Sequence, residues 1–140
     1  MKKIEPSISV VVTAHNAAET IQDCLRSVAG NLGAEPDDVE IILVDDRSAD
    51  GTADAARALA LECLRILRID SYQDRSLTAR QIALDLGFRS ARGEVILVTD
   101  ADAIVPQDWI SRMVGISWIW WSCPISPNCP ARGSRVFSVL

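Results

Sequence analysis

Three short apolar runs dominate the hydropathy pattern: Ile8-Ser9-Val10-Val11-Val12-Thr13, Val39-Glu40-Ile41-Ile42-Leu43-Val44 and Glu94-Val95-Ile96-Leu97-Val98-Thr99. They are rich in β-branched residues and show little polar alternation, which predicts strands covered on both faces. Leu64 to Ile69 interleaves Arg65 and Arg68 with apolar residues and predicts a more exposed strand. Between these runs the period lengthens. From Ala17 to Val28, Ile21, Leu25 and Val28 recur at helical spacing, with Gly30 and Gly33 marking the stop. Pro36-Asp37-Asp38 reads as a turn. Ser48 to Thr52 carries turn chemistry with Asp50 as the expected N-cap, and the alanine-rich stretch Ala53 to Cys63 predicts a helix. Arg75 to Ser90 predicts a third helix with Ile82, Leu86 and Arg89 in register, broken at Gly93. Pro106 suits the first turn of a helix through Asp108-Trp109-Ile110.

Strands alternating with helices at this spacing imply parallel pairing through right-handed crossovers. The expected fold is a doubly wound, mainly parallel α/β sheet. Ligands of such sheets bind beyond the carboxyl ends of the strands, where strand order reverses. The polar punctuation falls at those ends: Thr13-Ala14-His15-Asn16, Asp45-Asp46 and Asp100-Ala101-Asp102.

Composition narrows the class. The 140 residues are 49% hydrophobic and 24% charged with net charge −5, a globular balance without the basic excess of a nucleic-acid binder. No apolar run reaches the roughly 18–20 residues of a membrane span, and Met1-Lys2-Lys3 is not followed by a signal-peptide core, so a cytoplasmic protein is expected. Cys24, Cys63, Cys123 and Cys129 lack Cys-x-x-Cys spacing, and His15 is the one histidine, which argues against a structural zinc site.

Asp100 and Asp102, two apart just past a buried strand, project to one side if the backbone stays extended. Hard oxygen donors at that spacing suit Mg2+ or Mn2+, with phosphates completing the shell, although a solvated acidic turn shows the same pattern. Asp46 can read a ribose hydroxyl or base N–H, or cap the turn that follows. His15 lacks a visible orienting partner for base catalysis and suits ligand packing or exposure. Glu19 is equally at home near a helix N-terminus. Arg80 suits phosphate, or a solvated helix face.

Taken together, Val10 to Ile21, Glu40 to Thr52, Ala79-Arg80-Gln81 through Ala91-Arg92-Gly93-Glu94, and Val95 to Asp102 resemble the nucleotide-diphospho-sugar-binding half of family 2 glycosyltransferases of the GT-A group, over about Ser7 to Met113. The resemblance implies a UDP- or GDP-sugar donor site with Thr13, His15 and Glu19 in the first nucleotide loop, Asp46 reading the base and Arg80 near the nucleotide. It implies a metal-binding Asp100-x-Asp102 pair, Asp100 also bordering the donor, and sugar transfer to an acceptor hydroxyl with inversion. Arg47 stands where the family often has Gly, and Gln81 where it often has Asn. The organisation expected is a donor-binding domain over residues 1–114 and an atypical segment over 115–140. That segment contains Trp118, Trp120, Trp121, Cys123, Cys129 and three prolines spaced by three, but no Asp or Glu follows Asp108. The acceptor-side base therefore has no candidate, an incomplete or frame-shifted C-terminus is expected, and the catalytically inactive alternative is a donor-binding fragment. An uncovered C-terminal side would favour self-association.

Other readings fit less well. A haloacid-dehalogenase-type phosphatase would place Asp-x-Asp after the first strand, and a dinucleotide-binding dehydrogenase would show Gly-x-Gly-x-x-Gly. A receiver-like interaction module would require a lysine after its fifth strand, and the chain's lysines are Lys2 and Lys3.

Overall fold

A computed structural model describes residues 8–32, 38–72, 76–115 and 135–138, the last four as backbone. The elements are β1 (Ile8–Ala14), α1 (Ile21–Ala29), β2 (Val39–Asp46), α2 (Thr52–Arg57), β3 (Leu64–Ile69), α3 (Ala79–Ser90), β4 (Val95–Asp100), α4 (Trp109–Gly115) and β5 (Arg135–Ser138). All strand pairs are parallel, in the order β3-β2-β1-β4-β5. The expected doubly wound sheet is what the chain forms. The chain winds outward from β1 through β2 to β3, then returns to the other side of β1 as β4. Strand order thus reverses between β1 and β4, and Thr13 is paired with Asp100 at the carboxyl end of that junction.

Alternate residues of the central strands feed two apolar layers. Val10, Val12, Ile41, Leu43 and Leu97 pack with Ile21, Leu25 and Val28 of α1, Ala56 of α2 and Trp109 and Ile110 of α4. Val11, Ile42, Val44, Ile96 and Val98 face Ala83 and Phe88 of α3. Burial on both sides explains why β1, β2 and β4 read as continuous apolar runs.

On the second face α3 lies unusually close to the sheet. A Cβ on Gly87 would stand 2.5 Å from Val11 Cγ1, so only glycine permits this approach. At the amino ends of the strands a buried polar cluster closes the core. Ser9 Oγ donates to Glu40 Oε1 at 2.6 Å, Arg92 N to the same oxygen at 2.7 Å, and Arg65 Nη1 to Glu40 Oε2 at 3.2 Å. Gly93 N donates to Ser9 Oγ at 2.9 Å, and a Cβ at Gly93 would lie 2.6 Å from Ser9 N. The Ala91-Arg92-Gly93 stretch and Glu40 therefore hold the fold together at the end opposite the polar rim.

Several expectations change. The second helix stops at Arg57 rather than Cys63, because the chain turns through Ala60 in the left-handed region (φ 49°) before entering β3. The helix N-cap is Gly51 (φ 83°), not Asp50. Within the atypical segment, Arg135–Ser138 adds a strand beside β4, where no strand periodicity was legible. Self-association finds no support among the described residues, whose one exposed large apolar side chain is Ile104. The third helix begins at Ala79, after the extended Thr78 cap, rather than four residues earlier. The Gly33 stop, the Pro36-Asp37 part of the turn and the tryptophan, cysteine and proline positions after Gly115 lie outside the described residues. No described helix is long and apolar enough to cross a membrane.

Candidate functional site

The carboxyl rim of β2, β1 and β4 is built from three loops tied to one another. The loop after β1 is laced to the loop after β2. Asn16 N donates to Ser48 Oγ at 2.9 Å, Ala49 N to Asn16 Oδ1 at 2.9 Å, Ala17 N to Thr52 Oγ1 at 2.9 Å and Ala18 N to Asp50 Oδ2 at 3.0 Å. Asn16 adopts a left-handed backbone (φ 48°), a conformation asparagine tolerates better than most residues. Asp50 also accepts from the hydroxyl and N–H of Thr52, and these bonds hold its carboxyl below the usual range. It clamps two loops instead of capping one helix.

The two carboxylates ending β2 have different fates. Asp45 is fully buried: Oδ1 accepts from Ser48 N at 3.2 Å and Oδ2 from Arg68 Nη1 at 3.1 Å. Its hydrogen-bonding goes into the scaffold. Asp46 faces the rim, where Oδ1 accepts from Arg47 Nε at 3.0 Å and from the Tyr72 hydroxyl, while Oδ2 has no described partner. The Arg47 guanidinium lies 4.0 Å from the Tyr72 ring centroid, a cation–π arrangement. Arg47 has φ 54°, which explains physically why a glycine would be at ease in this position. Partial burial and the bond to Asp46 raise the Tyr72 phenol above its ordinary value.

His15 does have an orienting partner. Its Nδ1–H donates to the Asp46 carbonyl at 2.6 Å, with Asn16 Nδ2 at 3.3 Å from Nε2. The ring is exposed beside Asp46 and is held by the end of β2. Glu19 is exposed in the turn before α1 and makes no hydrogen bond or ion pair with a described residue.

The Asp100-Ala101-Asp102 turn sits directly across the β1–β4 junction. Thr13 Oγ1 lies 3.4 Å from Asp100 Oδ1, and Ala101 N donates to Thr13 O at 3.2 Å. Arg80, in the first turn of α3, grips Asp100 with both guanidinium nitrogens: Nη1 is 2.8 Å from Oδ1 and Nη2 3.3 Å from Oδ2. Asp102 is exposed and pairs with no described residue. Among the described residues no group of three or more His, Cys, Asp or Glu is arranged to hold a metal ion unaided. A cation on Asp100 and Asp102 would take further oxygens from water or a ligand, as Mg2+ ordinarily does.

Beneath this turn a polar stripe on one side of α1 fixes the chain. Cys24 Sγ donates to Asp100 O at 3.3 Å, Ser27 Oγ accepts from Val105 N at 3.1 Å, and Asn31 bridges Pro106 O (2.9 Å) and Ile110 N (3.0 Å). Burial, reinforced by Asp102 and Asp100, pushes the Cys24 thiol up to about 12. The structure thus gathers Thr13, Asp46, Arg80, Asp100 and Asp102 along one rim with His15 at its margin, and leaves Glu19 outside the bonded network. Arg47, Tyr72 and the Cys24–Ser27–Asn31 stripe escaped the sequence reading. For Tyr72 a signal existed, since the chain's one tyrosine follows the end of β3.

Residues 9–116 match the family described as Glycosyl transferase family 2. The chain belongs to this family. It is 34% identical over 116 residues to Glycosyltransferase AglE of Haloferax volcanii, an alignment covering 81% of this chain and 36% of AglE. It is also 34% identical over 109 residues to the succinoglycan biosynthesis protein ExoO of Rhizobium meliloti, covering 78% of this chain and 29% of ExoO. Among solved structures, the mannosyltransferase PcManGT of Pyrobaculum calidifontis, in complex with GDP-Man and Mn2+, superposes with TM-score 0.65 at 29% identity over 79% of this chain and 32% of that one. Glucosyl-3-phosphoglycerate synthase of Mycobacterium tuberculosis, in complex with Mn2+, UDP and phosphoglyceric acid, gives TM-score 0.63 at 25% identity, over 79% and 38%. The chain therefore spans about a third of the length of these family 2 relatives, and its sheet matches the N-terminal part of the GT-A fold.

Proposed function

We propose that the rim binds a UDP- or GDP-linked sugar together with Mg2+ or Mn2+, and that the protein serves transfer of that sugar to an acceptor hydroxyl with inversion. The observation that carries this reading is the placement of Asp46, Thr13, Asp100 and Asp102 on three adjacent strand ends around the point where strand order reverses. The donor set fits the cation: two carboxylates on one turn, one of them exposed and unpaired, supply hard oxygens and leave most of the shell to phosphate and water. The complexes of PcManGT with GDP-Man and Mn2+ and of the mycobacterial synthase with UDP and Mn2+ support the same ligand class.

The chain's residues then divide the work. Asp46 offers Oδ2 to a base N–H while Arg47 and Tyr72 hold its other oxygen. Thr13 and His15 border the nucleoside, and Glu19 lines the approach. Arg80 faces the diphosphate, and Asp100 and Asp102 hold the cation. When bound, the cation supplies charge neutralisation for the departing diphosphate.

Calorimetric titration of UDP and GDP with and without Mn2+, on wild type and Asp102→Ala, tests the reading. Because Asp102 is exposed and unpaired, its removal should leave stability within about 0.5 kcal/mol. Metal-dependent heat that falls at least tenfold in the variant is expected. Equal heats in both proteins overturn the metal assignment.

A further inference from the structure

The Arg80–Asp100 pair sets a conflict inside the site. A guanidinium holding both oxygens of Asp100, at 2.8 and 3.3 Å, occupies the carboxylate that a cation would use and adds a positive charge beside it. The pair is half open to solvent, with side-chain exposures of 50% and 37%, so it is held weakly enough to be exchanged. Among the described residues Arg80 has no other partner, and its pairing with Asp100 places it on the rim side of α3. Thr13 Oγ1, 3.4 Å from Asp100 Oδ1, gives the carboxylate a side-chain contact that does not depend on the guanidinium.

We infer that Arg80 is an exchangeable latch that couples the two ligands of the site: it neutralises Asp100 until a nucleoside diphosphate competes for its guanidinium, and this exchange frees Asp100 for the divalent cation. The inference rests on the donor-site reading above and adds to it a coupling between its two ligands. A dication approaching alone meets Arg80 on its ligand. A diphosphate arriving alone must extract Arg80 from Asp100. Each ligand removes the obstacle to the other, and linkage makes the benefit reciprocal.

The test measures Mn2+ alone by electron paramagnetic resonance, and UDP and GDP alone by calorimetry, on the wild-type chain, Arg80→Met and Arg80→Lys. Arg80→Met keeps an unbranched stem without charge, and circular dichroism verifies that it folds. Removing one positive charge a few ångströms from a dication at a solvated rim should tighten Mn2+ alone about five- to tenfold. The same substitution should weaken the nucleotide alone by a similar factor, and Arg80→Lys should return Mn2+ affinity toward wild type. These opposite signs are diagnostic, since a residue that merely supported the loop would weaken both ligands when lost. If wild type binds nucleotide with Mn2+ but Arg80→Met leaves Mn2+ alone unchanged or weaker, the latch is refuted and the donor-site reading stands. If wild type binds neither nucleotide with Mn2+ present, both are overturned.

Discussion

Replacing Gly87 by alanine tests how the fold seats its functional side chains. Arg80, Ala83 and Gly87 lie at helical spacing on one side of α3, so the depth at which Gly87 settles governs where Arg80 meets Asp100. The added Cβ would fall 2.5 Å from Val11 Cγ1 and 3.4 Å from Val44 Cγ2. Carbon pairs prefer about 3.5–4.0 Å, so the overlap with Val11 is at least about 1 Å. Val11 is fully buried in the central strand and β-branched, and it cannot rotate away freely. Alanine gains about 0.5–1 kcal/mol over glycine in a helix interior, whereas overpacking of this kind costs about 1–3 kcal/mol. The net is a loss of about 0–2.5 kcal/mol, read as a lower urea midpoint at unchanged slope. Val11→Ala in the same chain removes the clashing methyls. The double variant should therefore be more stable than the two single losses summed, by about 1 kcal/mol. A Gly87→Ala protein more stable than wild type, or losses that simply add, would refute the close approach and with it the account of how Arg80 is placed.

Glu40→Ala should separate stability from binding. It strips the buried amino-end cluster of its acceptor and unpairs Arg65, costing about 2–3 kcal/mol after allowance for the partial exposure of Arg65. Asp46 lies six residues further along β2, about 20 Å away, so nucleotide affinity of the folded fraction should hold; a matching loss of affinity would count against this division. Cys24, its thiol raised to about 12, should resist iodoacetamide at pH 8 until urea unfolds the chain. Its folded value exceeds the unfolded 9.0, so its contribution to stability is complete below pH 9 and declines as pH rises through 12, by up to about 1.4 kcal/mol per unit. Denaturation midpoints from pH 8 to 11 should fall more in wild type than in Cys24→Ala, and rapid alkylation of Cys24 itself in the folded protein, read by peptide mass mapping, would contradict the burial.

The strands were legible because both faces of β1, β2 and β4 are covered, which forces continuous apolar runs whatever the neighbouring chemistry. The carboxylates of the rim were legible because each follows such a run directly. What could not be read depends on residues distant in the chain. The orientation of His15 comes from a carbonyl 31 positions later, and Cys24 meets Asp100 across 76. Neither contact leaves a periodic trace. The end of α2 was misjudged for a different reason: alanine propensity favours helix through Ala60, but the chain must turn back to reach β3, and that tertiary demand prevails.

The same contrast explains why a shared motif is not a list of ligands. Within Glu40 to Thr52, Glu40 closes the amino end of the core, Asp45 holds Arg68, and Ser48, Asp50 and Thr52 clamp the first loop. Asp46 is the one carboxylate of that stretch with an oxygen left over on the rim. In Asp100-Ala101-Asp102 the division is sharper, with Asp100 held by Arg80 and Thr13 and Asp102 held by nothing described. Hydrogen-bonding capacity is finite, so a side chain already saturated by the protein has little to offer a ligand. Counting what each carboxylate has left ranks exposed Asp102 first, the uncommitted Oδ2 of largely buried Asp46 next, and Asp100 as available once its arginine is drawn away. That ordering makes Arg80 the residue whose release would open Asp100 to a ligand, as the proposed latch requires.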